Sequence, residues 1–162
     1  MSHAFESAVR QVLAREGGDR LTNDPNDRGG LTKYGISKRS YPDIDIQNLT
    51  EAQAIAIYKR DFWDALRLGD VLDSQVAAAI FDTAVNMGAT TAAKLAQRLA
   101  GVPADGKIGP VSIAGINRSE PMIYLPLFVL SRIERYSDIC AKDSSQKKYL
   151  HGWVRRALEL LP

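Results

Sequence analysis

The sequence predicts a mainly α protein, one compact helical domain with at most a small β-hairpin near residues 20–36. Three observations predict it. Apolar residues recur at helical spacing between recognisable caps and stops. Only one short stretch, Leu31 to Ile36, reads as β-like. The 162 residues are 45% apolar and 25% charged, enough to build one core of ordinary size.

The elements follow in order. Phe5, Val9, Val12 and Leu13 form one apolar stripe over residues 3–16, and Glu16 continues it. Gly17-Gly18 then stops the helix. A loop with a candidate turn at Asp24-Pro25-Asn26-Asp27 leads to the expected hairpin. Thr50 and Gln53 have the spacing of a capping box, opening a helix that runs through Tyr58 towards Trp63. Residues 74–87 are apolar nearly all round, with Asp73 or Ser74 as cap and Gly88 as stop, so this helix belongs in the middle of a domain. Residues 90–100 form a further helix, closed by Gly101. A turn at Asp105-Gly106 follows, then Pro110 at a first helical position. A long helix over 120–141 is bent or begun at Pro126, and residues 145–160 close the chain. The best seam lies between Gly101 and Pro110. The expected organisation is a first part, residues 1–90, and a helical part, residues 91–162, packed into the same globule.

Composition narrows the chemistry. One cysteine, Cys140, allows no internal disulfide and no cysteine-based metal site. It sits in an apolar helical stretch and reads as a packed small hydrophobe. His3 and His151 lie far apart, neither with a second ligand at metal-binding spacing. No metal and no cofactor are expected. The N-terminus has early charges and no apolar signal core, and the longest apolar run, Met122 to Leu130, is too short to span a bilayer. The expectation is a protein made in the cytoplasm, without stable membrane insertion, that something else must let out. The net charge of +2 is uneven: residues 1–90 carry 10 basic and 13 acidic side chains, and residues 91–162 carry 11 and 6. The near-neutral total and the lack of a basic recognition helix argue against a nucleic-acid partner.

Residues 16–37, EGGDRLTNDPNDRGGLTKYGIS, hold five of the twelve glycines and four of the nineteen acidic side chains. Cleaving a glycosidic bond requires a carboxylic acid that can donate a proton to the leaving oxygen, and burial disfavours the charged form. Glu16, on the apolar stripe, suits that role. The opposite role, activating water or stabilising positive charge, needs a polar or ionised partner in a wetter place. Asp24, Asp27 and Thr32 follow on a loop that can fold back across the helix end. The glycines let backbone approach a sugar closely. The competing reading makes Glu16 a surface residue and the aspartates turn formers, although a glutamate at a helix C-terminus opposes the helix dipole. An EF-hand reading of Asp24 onward fails, because Arg28 occupies a ligand position and position twelve is Gly35.

The run Glu16-Gly17-Gly18, then Asp24-Pro25-Asn26-Asp27-Arg28-Gly29-Gly30-Leu31-Thr32-Lys33-Tyr34-Gly35-Ile36, resembles the signature of glycoside hydrolase family 108. Those are lysozyme-like N-acetylmuramidases of phages and prophages, also labelled secretion activator proteins. Tyr58 to Trp63, Phe81 to Gly88, Asp105 to Pro110 and Gly152-Trp153 also resemble the family, the later ones its peptidoglycan-binding region. The resemblance implies a lysozyme-like fold and an endolysin that cleaves the β-1,4 bond between N-acetylmuramic acid and N-acetylglucosamine. It implies Glu16 as the acid, and Asp24 or Asp27, with Thr32, as the groups that handle water or charge. The implied partner is the glycan strand of bacterial peptidoglycan. The protein is expected to be a monomer that meets the wall in the periplasm, released through a holin-type pore or by a host secretion route. A lytic transglycosylase acting on the same bond and a silent peptidoglycan-binding module remain the alternatives.

Tyr34, Tyr58 and Trp63 are candidate platforms for sugar rings, or else core residues. Asp82 and Asn86, at i and i+4, share one face of the apolar helix. They either bond loop backbone near the cleft, or Asn86 contacts an N-acetyl group. Trp153 reads as core.

Overall fold

The computed structural model describes residues 3–23 and 30–161. Among these the protein is mainly α, with seven α-helices and one two-stranded sheet. The chain divides into two compact units, Met1–Asp64 and Ala65–Pro162.

In the first unit, α1 (His3–Arg15) buries Phe5, Ala8, Val9, Val12 and Leu13, the stripe expected from the spacing. Glu16 stands just past its last turn rather than inside it. Its N–H still donates to the Val12 carbonyl, at 2.9 Å. Gly17 and Gly18 take φ of +86° and +58°, and the Gly18 N–H donates to the Leu13 carbonyl at 3.0 Å. This is the Schellman pattern that ends a helix on glycine.

β1 (Thr32–Lys33) and β2 (Ile36–Ser37) pair antiparallel, Thr32 opposite Ser37 and Lys33 opposite Ile36. The two residues between them, Tyr34 and Gly35, both have positive φ, +54° and +74°. That is the mirror-image turn whose twist suits a tight hairpin. Thr22 joins Thr32 by a reciprocal pair of backbone bonds, 2.9 and 2.8 Å. α2 (Glu51–Tyr58) opens on the expected capping box of Thr50 and Gln53. Instead of running straight to Trp63, it widens into a π-helical turn over Lys59–Asp64.

In the second unit, α3 (Ser74–Met87) is capped by Asp73, whose Oδ1 accepts from the Gln75 and Val76 N–H groups at 2.9 Å. α3 packs against α4 (Ala89–Leu99) and α6 (Pro121–Lys142), which explains why it belongs with the C-terminal half of the chain. α5 (Pro110–Arg118) begins on Pro110 as expected. The turn before it is pinned by the buried Gln97 side chain, which receives the Gly106 N–H at 2.8 Å and donates to Asp105 at 2.7 Å. α6 starts at Pro121, within one residue of the expected start, and carries Pro126 in its interior rather than beginning there. α7 (Lys147–Leu158) closes the unit. Cys140 is buried and free. No described helix is long and apolar enough to cross a membrane.

Candidate active site

Glu16 is held where the end of α1 meets the tip of the hairpin. The Tyr34 N–H donates to the Gly18 carbonyl at 3.0 Å, stitching the hairpin to the turn that follows Glu16. On the other side, the Tyr34 carbonyl accepts from the Tyr58 hydroxyl at 2.8 Å. Gly35 lies directly on the glutamate stem. A Cβ there would stand 2.9 Å from both Cβ and Cγ of Glu16 and 2.6 Å from the Tyr58 hydroxyl oxygen. No side chain fits at 35, so the backbone of the turn is the surface against which Glu16 rests. Glu16 is half-buried, more exposed than the stripe it extends.

Thr32 lies on the same hairpin, two residues from the turn. Its hydroxyl donates to the Gly30 carbonyl at 3.0 Å, which fixes the last described turn of the glycine-rich loop. Asp24 and Asp27 lie outside the described residues. The first unit therefore brings Glu16, Tyr34, Gly35 and Tyr58 together, with Thr32 on the same hairpin.

Of the two readings open for the aromatic residues, sugar platform or core, burial favours the core. Tyr58 is 2% exposed, and its hydroxyl supports the hairpin. Trp63 is 3% exposed, edge-on to Phe5 at a centroid distance of 5.3 Å. Tyr34 is 8% exposed, with the Lys33 ammonium 5.5 Å from its ring centroid. A ring with no open face cannot stack on a sugar. Tyr34 and Tyr58 build the site's frame, and Trp63 packs against Phe5 of α1.

Asn86 belongs to the second unit, as does its neighbour Asp82. Of the two readings open for them, bonding to loop backbone or an N-acetyl contact by Asn86, the structure describes neither: their described bonds run to other side chains. Asp82 is 1% exposed and sits between two guanidinium groups, Arg132 at 2.7 Å and Arg156 at 3.0 Å. Burial pushes its carboxyl up, but Arg156 and Arg132 outweigh that and hold it below the usual carboxylate range. The Arg132 Nε donates to the Tyr136 hydroxyl at 2.8 Å, and that hydroxyl donates to Asn86 Oδ1 at 2.6 Å. Sequence reasoning missed Arg132, Tyr136 and Arg156. The Arg132–Tyr136 spacing of four residues was a visible signal, but its partners lie far away along the chain. Among the described residues no group of three or more His, Cys, Asp or Glu could hold a metal ion.

The Glycosyl hydrolase 108 family model matches residues 9–88, which contain the whole Glu16–hairpin site. The chain belongs to glycosyl hydrolase family 108. A second model, described as a predicted peptidoglycan domain, matches residues 91–158 of this family member. Together the two matches make it a glycoside hydrolase acting on peptidoglycan. In fold it is similar to the solved structure of Brucella abortus SagA, with a TM-score of 0.74 and 24% identity over 96% of this chain and 94% of that one. No curated protein matches the chain.

Proposed function

We propose that this hydrolase is an endolysin-type N-acetylmuramidase, cleaving the β-1,4 bond between N-acetylmuramic acid and N-acetylglucosamine. Glu16 protonates the glycosidic oxygen as the sugar ring develops oxocarbenium character. Asp24 or Asp27, with Thr32, holds the water or stabilises the cation from the opposite face. The observation that carries this reading is the seat of Glu16. Its stem rests against the backbone of Gly35, and both neighbouring turns are hydrogen-bonded together. A carboxyl fixed at the end of a packed helix can donate in a constant direction, which general acid catalysis requires. The protein works as a monomer, is made in the host cytoplasm, and meets the wall in the periplasm after release through a holin-type pore.

The test is the chemistry of the product. Purified peptidoglycan is digested, reduced with borohydride and analysed by mass spectrometry. New reducing ends on N-acetylmuramic acid are expected. Reducing ends on N-acetylglucosamine would refute the assigned bond, and 1,6-anhydromuramoyl ends would replace hydrolysis by transglycosylation.

A further inference from the structure

The second unit contains a cavity of about 260 Å³ between α3, α4, α6 and α7, lined in part by Asn86, Met87, Arg135, Tyr136, Ile139 and Trp153. This is below the ~300–1,000 Å³ of pockets that hold drug-sized ligands, so it fits one residue-sized group rather than a disaccharide. Asn86 and Met87 come from the end of the hydrolase match. The rest of the lining comes from the peptidoglycan-domain match.

Apart from the Thr91 hydroxyl, which can donate or accept, the polar groups open to this cavity are donors. Asp82 fixes Arg132, and a guanidinium can only donate, so the Tyr136 oxygen accepts from Arg132 Nε. The Tyr136 hydroxyl proton is then directed at Asn86, and the 2.6 Å separation suits an O–H···O bond. Asn86 Oδ1 is thereby occupied, and its amide N–H groups have no partner among the described residues. Arg135 is half-buried and has no ion pair among the described residues. The Trp153 indole N–H makes no hydrogen bond among them either, while its ring stacks on Tyr136 at 5.1 Å. No acid lines the cavity. One cation, neutral donors and an apolar wall match a carboxylate carried on a small aliphatic segment.

We infer that this cavity binds a carboxylate of the peptide stems that peptidoglycan strands carry, with Arg135 and Asn86 as the recognising pair. The inference rests on peptidoglycan as the target. Within the intact polymer the sugars offer neutral hydroxyl and N-acetyl groups, whereas the stems supply the carboxylates. A neutral N-acetyl group would leave Arg135 uncompensated.

The experiment is calorimetric titration of the full chain with a free tetrapeptide stem, L-alanyl-γ-D-glutamyl-diaminopimeloyl-D-alanine. The same peptide with its carboxyls amidated and di-N-acetylchitobiose serve as comparators. The acidic peptide is expected to bind at least about tenfold more tightly than either. Arg135→Gln is expected to weaken it about tenfold. Asn86→Asp keeps an acceptor for Tyr136 but turns a donor into a like charge, and is expected to abolish binding. The assignment is overturned if the amidated peptide or the sugar binds as tightly. It is also overturned if the native protein ignores the peptide, or if folded Arg135→Gln binds like the native protein. The peptide has no glycosidic bond, so none of these results touches the cleavage reading. A protein that binds the stem yet leaves strands intact would refute cleavage alone.

Discussion

Gly35 shows how one residue sets the position of another. It takes φ of +74°, and a Cβ there would meet Glu16 and the Tyr58 hydroxyl at under 3 Å. Gly35→Ala combines a left-handed penalty with overpacking and is expected to cost about 2 kcal/mol or more. It should also lower kcat by displacing Glu16. Gly30 has φ of +67° but open space around it, so Gly30→Ala is expected to cost about 1 kcal/mol and leave Glu16 in place. Urea melts and wall-clearing rates of the two variants check the contrast. The placement of Glu16 was legible, because an apolar stripe followed by two glycines marks a helix end on its core side. The need for glycine at 35 was not, because it comes from Glu16 and Tyr58, both distant from it along the chain.

At the scale of elements, local signals read well and changes of period did not. The Thr50–Gln53 capping box depends on residues three apart, and it forms as read, with a Thr50 N–H to Gln53 Oε1 bond of 2.9 Å. Thr50→Ala is expected to cost about 1 kcal/mol, measurable as a lower urea midpoint with an unchanged slope. The π-helical turn over Lys59–Asp64 has no such local code. Aromatic spacing alone left open whether Tyr58 and Trp63 faced a cleft or the core. Burial against the Phe5 ring and the support of the hairpin decide for the core. Likewise, Asp82 and Asn86 were correctly placed on one helix face, but their partners Arg132, Tyr136 and Arg156 lie 50 to 74 residues away. A single sequence carries no trace of such pairings.

Over the whole molecule, ionised groups set the pH range of stability. Asp82 is held below the usual carboxylate range in the fold, so it favours the folded state above its unfolded value of about 3.9. That contribution is lost as pH falls through the lower folded value. Asp82→Asn leaves two guanidinium groups against a neutral amide and is expected to cost about 3–5 kcal/mol. Tyr41 behaves oppositely. Burial, then its hydrogen bond to Asp61 at 2.9 Å, pushes the phenol up to about 12. Its contribution is complete below about pH 10 and lost between there and about 12. A melting-temperature profile against pH is expected to fall at both ends. Asp82→Asn should flatten the acid arm and Tyr41→Phe the alkaline arm. Unchanged arms would show that other groups set them.

In the proposed function, the opening of the glycine-rich loop holds the acid that cuts the wall. Glu16→Gln keeps the shape of the side chain, including the stem that rests on Gly35, and removes the transferable proton. Clearing of purified Gram-negative peptidoglycan by the native protein and by this variant, matched by circular dichroism and melting temperature, is the most direct measurement. Clearing by the native protein and a loss of about a hundredfold or more in the variant are expected. Equal clearing by both would contradict the acid role, and would make Glu16 a structural residue at the end of a helix.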